Sequence, residues 1–287
     1  TPVAETERAA SQQNSSQQQR DHDRADEGGQ KQDDHVAKMN QPDIEEGATA
    51  RLCAAMHEAL RSAPAVSRGD AFPRAWWQHL GAQAMLGVGF DPDGGEPRAD
   101  WPAVAALAGI IARETAHLGL ALGWLMNEML GRFVIGPHVG NDGHRALLRM
   151  MARGRKIVAL AISEPQAGAH PKLLRCAARQ HDGQWLLEGE KSFVSNGPAA
   201  DVVVVLAVTG EDAGRKRFDA FIVDADNPGL ARRPTGRDAV LLPLGHCGLV
   251  LDGCLVPDAR PLDTDGKAFD LIAKPLRTLE DTLLGSA

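Results

Sequence analysis

Two rhythms divide the chain. From Ala48 to about Arg155 apolar positions recur every three or four residues, the spacing of one face of an α-helix; after Lys156 they alternate or run together in short blocks, as in strands. The stretch ATARLCAAMHEALRSA predicts a first helix that stops before Pro64. Residues 71–86, with Trp76 and Trp77, predict a second that runs into the glycine-rich turn GVGFDPDGG. Asp100 is placed to cap a long third helix, since its carboxylate can accept from the free N–H groups of a first turn, and Pro102 suits that turn because its missing N–H would have no partner there. Residues 144–152 predict a further helix ending at Gly154.

Beyond Lys156 the block IVALAI (157–162) has the length and character of a buried strand. LRCAARQH and QWLLEGEKSF predict a hairpin joined at His181-Asp182-Gly183, because Asp-Gly readily adopts the positive φ angles of a tight hairpin turn. DVVVVLAV and FDAFIVDAD predict buried or half-buried strands, Pro228-Gly229 breaks the chain after the second, and LLPLGHCGLVLDGCLVP continues the β pattern. Residues 267–287 turn helical again. Residues 1–47, with runs such as SQQNSSQQQR and no Phe, Trp or Tyr, have too little to bury to offset the entropy of ordering and predict a disordered polar tail. The expected organisation is therefore a tail over 1–47, an all-α domain over 48–155, an antiparallel β-barrel-like domain over 156–262, and the start of a further helical domain over 263–287: an α+β chain.

Composition narrows the function. A length of 287 residues allows two compact domains, and a net charge of −7 argues against a nucleic-acid partner, whose recognition rests on basic surface. Cys53, Cys176, Cys247 and Cys254 form no CxxC pair and have no matching histidine spacing, so neither a metal site nor a disulfide framework is expected and a reducing compartment is. The most apolar region, residues 103–126, is interrupted by Arg113, Glu114 and His117, which suits a buried helix better than a membrane span. The polar opening carries no secretory signal, and a cytoplasmic location is expected.

No GxGxxG follows a strand and opens a helix, so a Rossmann dinucleotide site is not supported. Two other segments carry chemistry: SEPQAGA (163–169), at the mouth of the first strand, and GEKSFVSNG (189–197). Alone, the second is a strand ending in an Asn196-Gly197 turn. Together and in order, they resemble the flavin-binding motifs of the acyl-CoA dehydrogenase family. The resemblance runs from about residue 71 onward and takes in the glycine-rich turn near Asp91, RALLRMMARGRKIVALAISEP, FDAFIVDADNPGL and LVLDGCLVPDARPL.

The resemblance implies FAD as cofactor, an acyl-CoA thioester as substrate, its α,β-dehydrogenation as the reaction, an electron-transfer flavoprotein as the electron acceptor, and a homo- or hetero-oligomer. Backbone from Leu160 to Ala169, Gly168 included, would line the cofactor, with Ile162 and Ser163 on the flavin pyrimidine edge. Phe193, followed by Val194, stands at the family's usual tryptophan position against the ring system. Ser195 matches a threonine whose hydroxyl approaches N5, the hydride-accepting atom. Ala169 and His170 stand where the family has serine and aspartate, leaving the Ala169 backbone near the thioester. Thr209 falls where the family contacts the CoA portion, and Arg215, Lys216 and Arg217 could meet its phosphates; a solvated loop is the plainer reading of those three. In the last helix Arg277-Thr278-Leu279-Glu280 reverses the family's acid-before-arginine order. The family's general base lies in a C-terminal helical domain, near whose first helix this chain is expected to end, so no catalytic residue is assigned. Glu164, inside the cofactor motif, and Glu190, on a hairpin strand, are not substitutes for it. Two further readings stay open: a non-catalytic flavin- or partner-binding subunit or remnant, and a flavin monooxygenase or oxidase on the same fold.

Overall fold

Helices come first in the computed structural model, which describes residues 46–66, 71–235, 242–258, 261–262 and 264–272. They are α1 (Glu46–Arg61), α2 (Arg74–Ala82), α3 (Trp101–Thr115), α4 (Leu118–Met129) and α5 (Asp142–Ala152). The expected polar tail, but for its last two positions, and the Arg277–Glu280 pair lie outside the described residues. Asp100 caps α3 as its side chain predicts, accepting from the Ala103 N–H at 2.9 Å. Asp100→Ala is expected to cost about 1 kcal/mol of stability, read as a lower urea midpoint with an unchanged slope.

The expected second helix is shorter than its pattern, because Pro73 precedes it and Ala84 takes a left-handed φ of 55° just beyond it. The apolar region 103–126 is two helices, broken where Ala116 adopts φ 55°. After Met129 the second of these widens into a π-helical turn over Leu130–Ile135. Leu118–His138 is long and apolar enough to cross a membrane, yet 72% of that window is buried within the protein, as in a core helix. α5 starts two residues earlier than expected, because Asn141 caps it by accepting from the Gly143 N–H at 2.8 Å.

The strands are β1 (Val158–Ala161), β2 (Ala177–His181), β3 (Gln184–Ser195), β4 (Val202–Asp212), β5 (Arg215–Asp224), β6 (Leu230–Pro234) and β7 (His246–Pro257). They form one curled sheet in the order β1-β4-β2-β3-β7-β6, with β5 paired to β4. The β2–β3 turn has Asp182 at φ 49° and Gly183 at φ 75°, the two positive angles its dipeptide predicts. The expectation of an antiparallel barrel needs correcting, for β1 and β4 pair in parallel, Val158↔Val202 to Ala161↔Val205. The reason is the path between them: the β2–β3 hairpin returns the chain to the end where β1 began, where Asp201 N–H donates to Ile157 O at 2.8 Å.

Side chains of β4 explain its unbroken apolar run. Val202, Val204 and Leu206 belong to a cluster shared with the helices, while Val203, Val205 and Ala207 belong to a second inside the curl of the sheet. Both faces are covered, so the usual apolar–polar alternation disappears. Arg74, on α2, ties helices to sheet by donating to both Asp201 oxygens at 3.1 Å.

Candidate functional site

β1 is buried along its length, and the chain leaves it at Ile162. The next residues would be a loose loop but for Glu164. Its carboxylate accepts from the Arg175 N–H (2.7 Å), the Cys176 N–H (2.9 Å) and Lys191 Nζ (2.9 Å). Lys191 also donates to Ile162 O at 3.1 Å, and Ser192 N–H donates to Ser163 O at 2.8 Å. Both side chains of the ion pair are buried, at 0% and 7% exposure. Taking two charges out of water is costly unless geometry and extra hydrogen bonds compensate, and here the carboxylate has three donors. The consequence is positional: SEPQAGA and GEKSFVSNG are fastened side by side.

Within the fastened loop, Glu164 N–H donates to Gly168 O (2.9 Å) and Gly168 N–H to Glu164 O (3.0 Å), with Gln166 at φ 66° and Gly168 at φ 55° between and beside them. A side chain at Gly168 would meet nothing within 4 Å, so the space beside it is open. Across from it, β3 carries an extra residue against β7 between Lys191 and Val194. Such a bulge re-aims side chains. Phe193 sits in it at φ 53° with 74% of its surface exposed. A positive φ is a strained conformation for an aromatic residue and persists where the surroundings impose it. Val194 then points into the sheet interior, and Ser195 faces His246 across the β3–β7 pair, Oγ to Nε2 3.1 Å. Ser192 Oγ and Asn196 Oδ1 are buried without a hydrogen-bond partner among the described residues.

Ser163 thus lies on the loop fastened to β3, Phe193 and Ser195 lie in and just after the bulge of that strand, and the buried Glu164–Lys191 pair beside them is neutral as a pair. That is a surface for a flat, polar, aromatic ligand, which such hydroxyls can orient without imposing charge. Ile162, Ser163, Gly168 and Ala169 lie along the fastened segment after β1, and Phe193 and Ser195 lie on β3 beside it. The Leu160 side chain packs into the helix–sheet core, so only its backbone can contribute.

Thr209 lies elsewhere, near the β4–β5 end. Its hydroxyl donates to Asp219 at 2.6 Å, and the same carboxylate accepts from Thr264 Oγ1 (2.7 Å) and Gly266 N–H (2.9 Å). Close by, Lys172, Arg215, Lys216 and Lys267, with Glu211, Asp270 and the tilted Phe218–Phe269 pair, line a cavity of about 540 Å³. Lys216 is partly committed, donating to Lys172 O (3.0 Å) and Leu174 O (2.6 Å).

Sequence reasoning missed the Glu164–Lys191 pair and His246. A signal for the lysine existed: Leu187, Gly189 and Lys191 fall on one face of β3, the face that Leu187 buries. Nothing local marks His246 as the neighbour of a serine 51 positions earlier.

Residues 159–254, the sheet with its bulge and its fastened loop, match the family model described as the acyl-CoA dehydrogenase middle domain. Over that stretch the chain resembles the acyl-CoA dehydrogenase family. It is similar to an acyl-CoA dehydrogenase of Bacillus subtilis (strain 168), 28% identical over 218 residues that cover 76% of this chain and 57% of that one. A mitochondrial isovaleryl-CoA dehydrogenase of Arabidopsis thaliana is 35% identical over 166 residues, 58% of this chain and 40% of the relative. The chain thus spans about half the length of these relatives. In fold it resembles a glutaryl-CoA dehydrogenase from Mycobacterium smegmatis solved in complex with FADH2, with a TM-score of 0.66 at 20% identity over 83% of this chain and 60% of that one.

Proposed function

We propose that this chain holds FAD on the surface around Phe193 and serves the α,β-dehydrogenation of an acyl-CoA thioester. The observation that supports this most is the fastening of the two motifs by Glu164 and Lys191, which brings the segment with Ser163 beside the strand that carries the exposed Phe193 and Ser195. Phe193 covers a face of the ring system, Ser163 serves its pyrimidine edge, and Ser195 serves N5. Backbone at Leu160, Gly168, Ala169 and Val194 completes the contact. The bound flavin supplies the redox chemistry, accepting hydride from the substrate; the protein supplies orientation and dryness.

Thr209 and the cationic cavity by Lys172, Arg215 and Lys216 are the proposed CoA side, where phosphates would find charge-assisted donors. An electron-transfer flavoprotein takes the electrons onward, the working form is a homo- or hetero-oligomer, and the location is cytoplasmic. The general base is not assigned to any described residue.

Visible absorption of the purified chain before and after denaturation tests the reading. Released FAD is expected, and Ser163→Ala combined with Ser195→Ala is expected to raise the FAD dissociation constant about five- to 150-fold, since two hydrogen bonds of roughly 0.5–1.5 kcal/mol each are lost. A colourless protein that takes up no added FAD refutes it. Flavin that is bound but bleached only by substrates without CoA points to a monooxygenase or oxidase on this fold.

A further inference from the structure

We propose that His246 is a positioning residue that sets the direction of the Ser195 hydroxyl, letting it donate to the cofactor in one redox state and accept in the other. The proposal rests on the FAD reading above. Its own basis is the pairing of Ser195 with His246 across β3 and β7 and the 3.1 Å separation of Oγ from Nε2. Thr235 Oγ1 donates to His246 O at 2.8 Å, which holds that end of β7 in register. The neighbouring cations on β6 are occupied: Arg233 donates to Glu190 Oε1 (2.8 Å), and Arg232 donates to Gly197 O (3.0 Å) and Ala200 O (2.8 Å). No charged partner competes for the His246 ring among the described residues.

A neutral imidazole has one N–H and one bare nitrogen, and which is which is set by what each nitrogen meets. With the proton on Nε2, His246 donates to Ser195 Oγ, and the seryl proton is turned outward as a donor. With the proton on Nδ1, Nε2 accepts the seryl proton, and Ser195 presents a lone pair outward. An oxidised flavin N5 is an acceptor; a reduced one carries hydrogen and donates. The serine–histidine pair can answer both by moving one ring proton between Nε2 and Nδ1. The half-buried ring can exchange that proton with water. The imidazole keeps its charge and the protein is neither oxidised nor reduced. A lone serine hydroxyl can also turn either way, but without a partner to polarise it in either direction.

Nitrogen-15 NMR of the histidine side chains in the FAD-loaded full chain, oxidised and then dithionite-reduced, tests this. His246 is expected to show the Nε2–H tautomer in the oxidised protein and the Nδ1–H tautomer in the reduced one. His246→Phe is expected to weaken binding of both redox states about three- to tenfold, the worth of one supported hydrogen bond. That loss should vanish in a Ser195→Ala background and be partly restored by His246→Gln, whose amide can donate or accept. The same tautomer in both states, or a His246→Phe loss that persists without the serine hydroxyl, overturns the role of His246 while leaving the flavin reading standing. A chain that never takes up FAD overturns both.

Discussion

Glu164→Ala is expected to lower the stability of the folded chain by about 3–5 kcal/mol, the range for removing one partner of a buried ion pair. The change strands Lys191, whose side chain has no exposure, with Ile162 O as its one remaining partner among the described residues. It also takes away the acceptor for the Arg175 and Cys176 N–H groups. Urea unfolding reads the loss directly, and FAD uptake should fall with it even at temperatures where the variant stays folded, because the 162–170 loop loses its attachment to β3. Adding Lys191→Met to Glu164→Ala should recover part of the stability, since the uncompensated charge is then gone. A single variant within about 1 kcal/mol of wild type would show that the pair contributes no more than an exposed salt bridge, and that something else holds the loop.

That pair also shows where sequence reading stops. Short-range chemistry was legible: the aspartate before α3 does cap it, and Asp182-Gly183 does take the two positive φ angles of a tight hairpin. Each of those outcomes depends on residues within a few positions of one another. The direction of β1 relative to β4 depends on a detour of some forty residues, and an apolar block such as IVALAI reads the same in a parallel or an antiparallel pair. β6 escaped notice because LARRP is an edge strand with four of its five residues exposed and a terminal proline, so it has none of the apolar pattern that marks a strand. The serines at 163 and 195 were found through resemblance, since nothing in their local pattern distinguishes them from loop residues. What joins them, a buried lysine reaching back across 27 positions, follows from packing and from no local rule.

A second large effect is expected from pH, through a buried carboxylate outside the two fastened motifs. Glu128, on α4, is wholly buried, and its two oxygens accept from the Gly87 and Gly89 N–H groups at 2.8 Å each, with Asn127 Nδ2 at 3.2 Å. It anchors the glycine-rich turn GVGF, in which Gly87 has φ 69° and Phe90 packs so closely on Gly131 that a methyl there would come within 2.2 Å of the ring. Burial pushes the Glu128 carboxyl up from 4.5 to about 7, outweighing the backbone donors that pull it down. The folded protein therefore holds this proton more tightly than the unfolded chain does. Its contribution to stability is full below about pH 4.5, falls as pH rises toward 7, and is lost above that. At about 1.4 kcal/mol per pKa unit the loss amounts to roughly 3 kcal/mol. Glu128→Gln should abolish this slope at a fixed cost of about 1–3 kcal/mol, because the amide NH₂ replaces one acceptor facing a glycine N–H. Urea midpoints should then show the variant weaker than wild type at pH 5, with the difference closing or inverting by pH 8. Parallel pH profiles for the two proteins would mean that Glu128 is ionised throughout and that the glycine amides, not burial, control it.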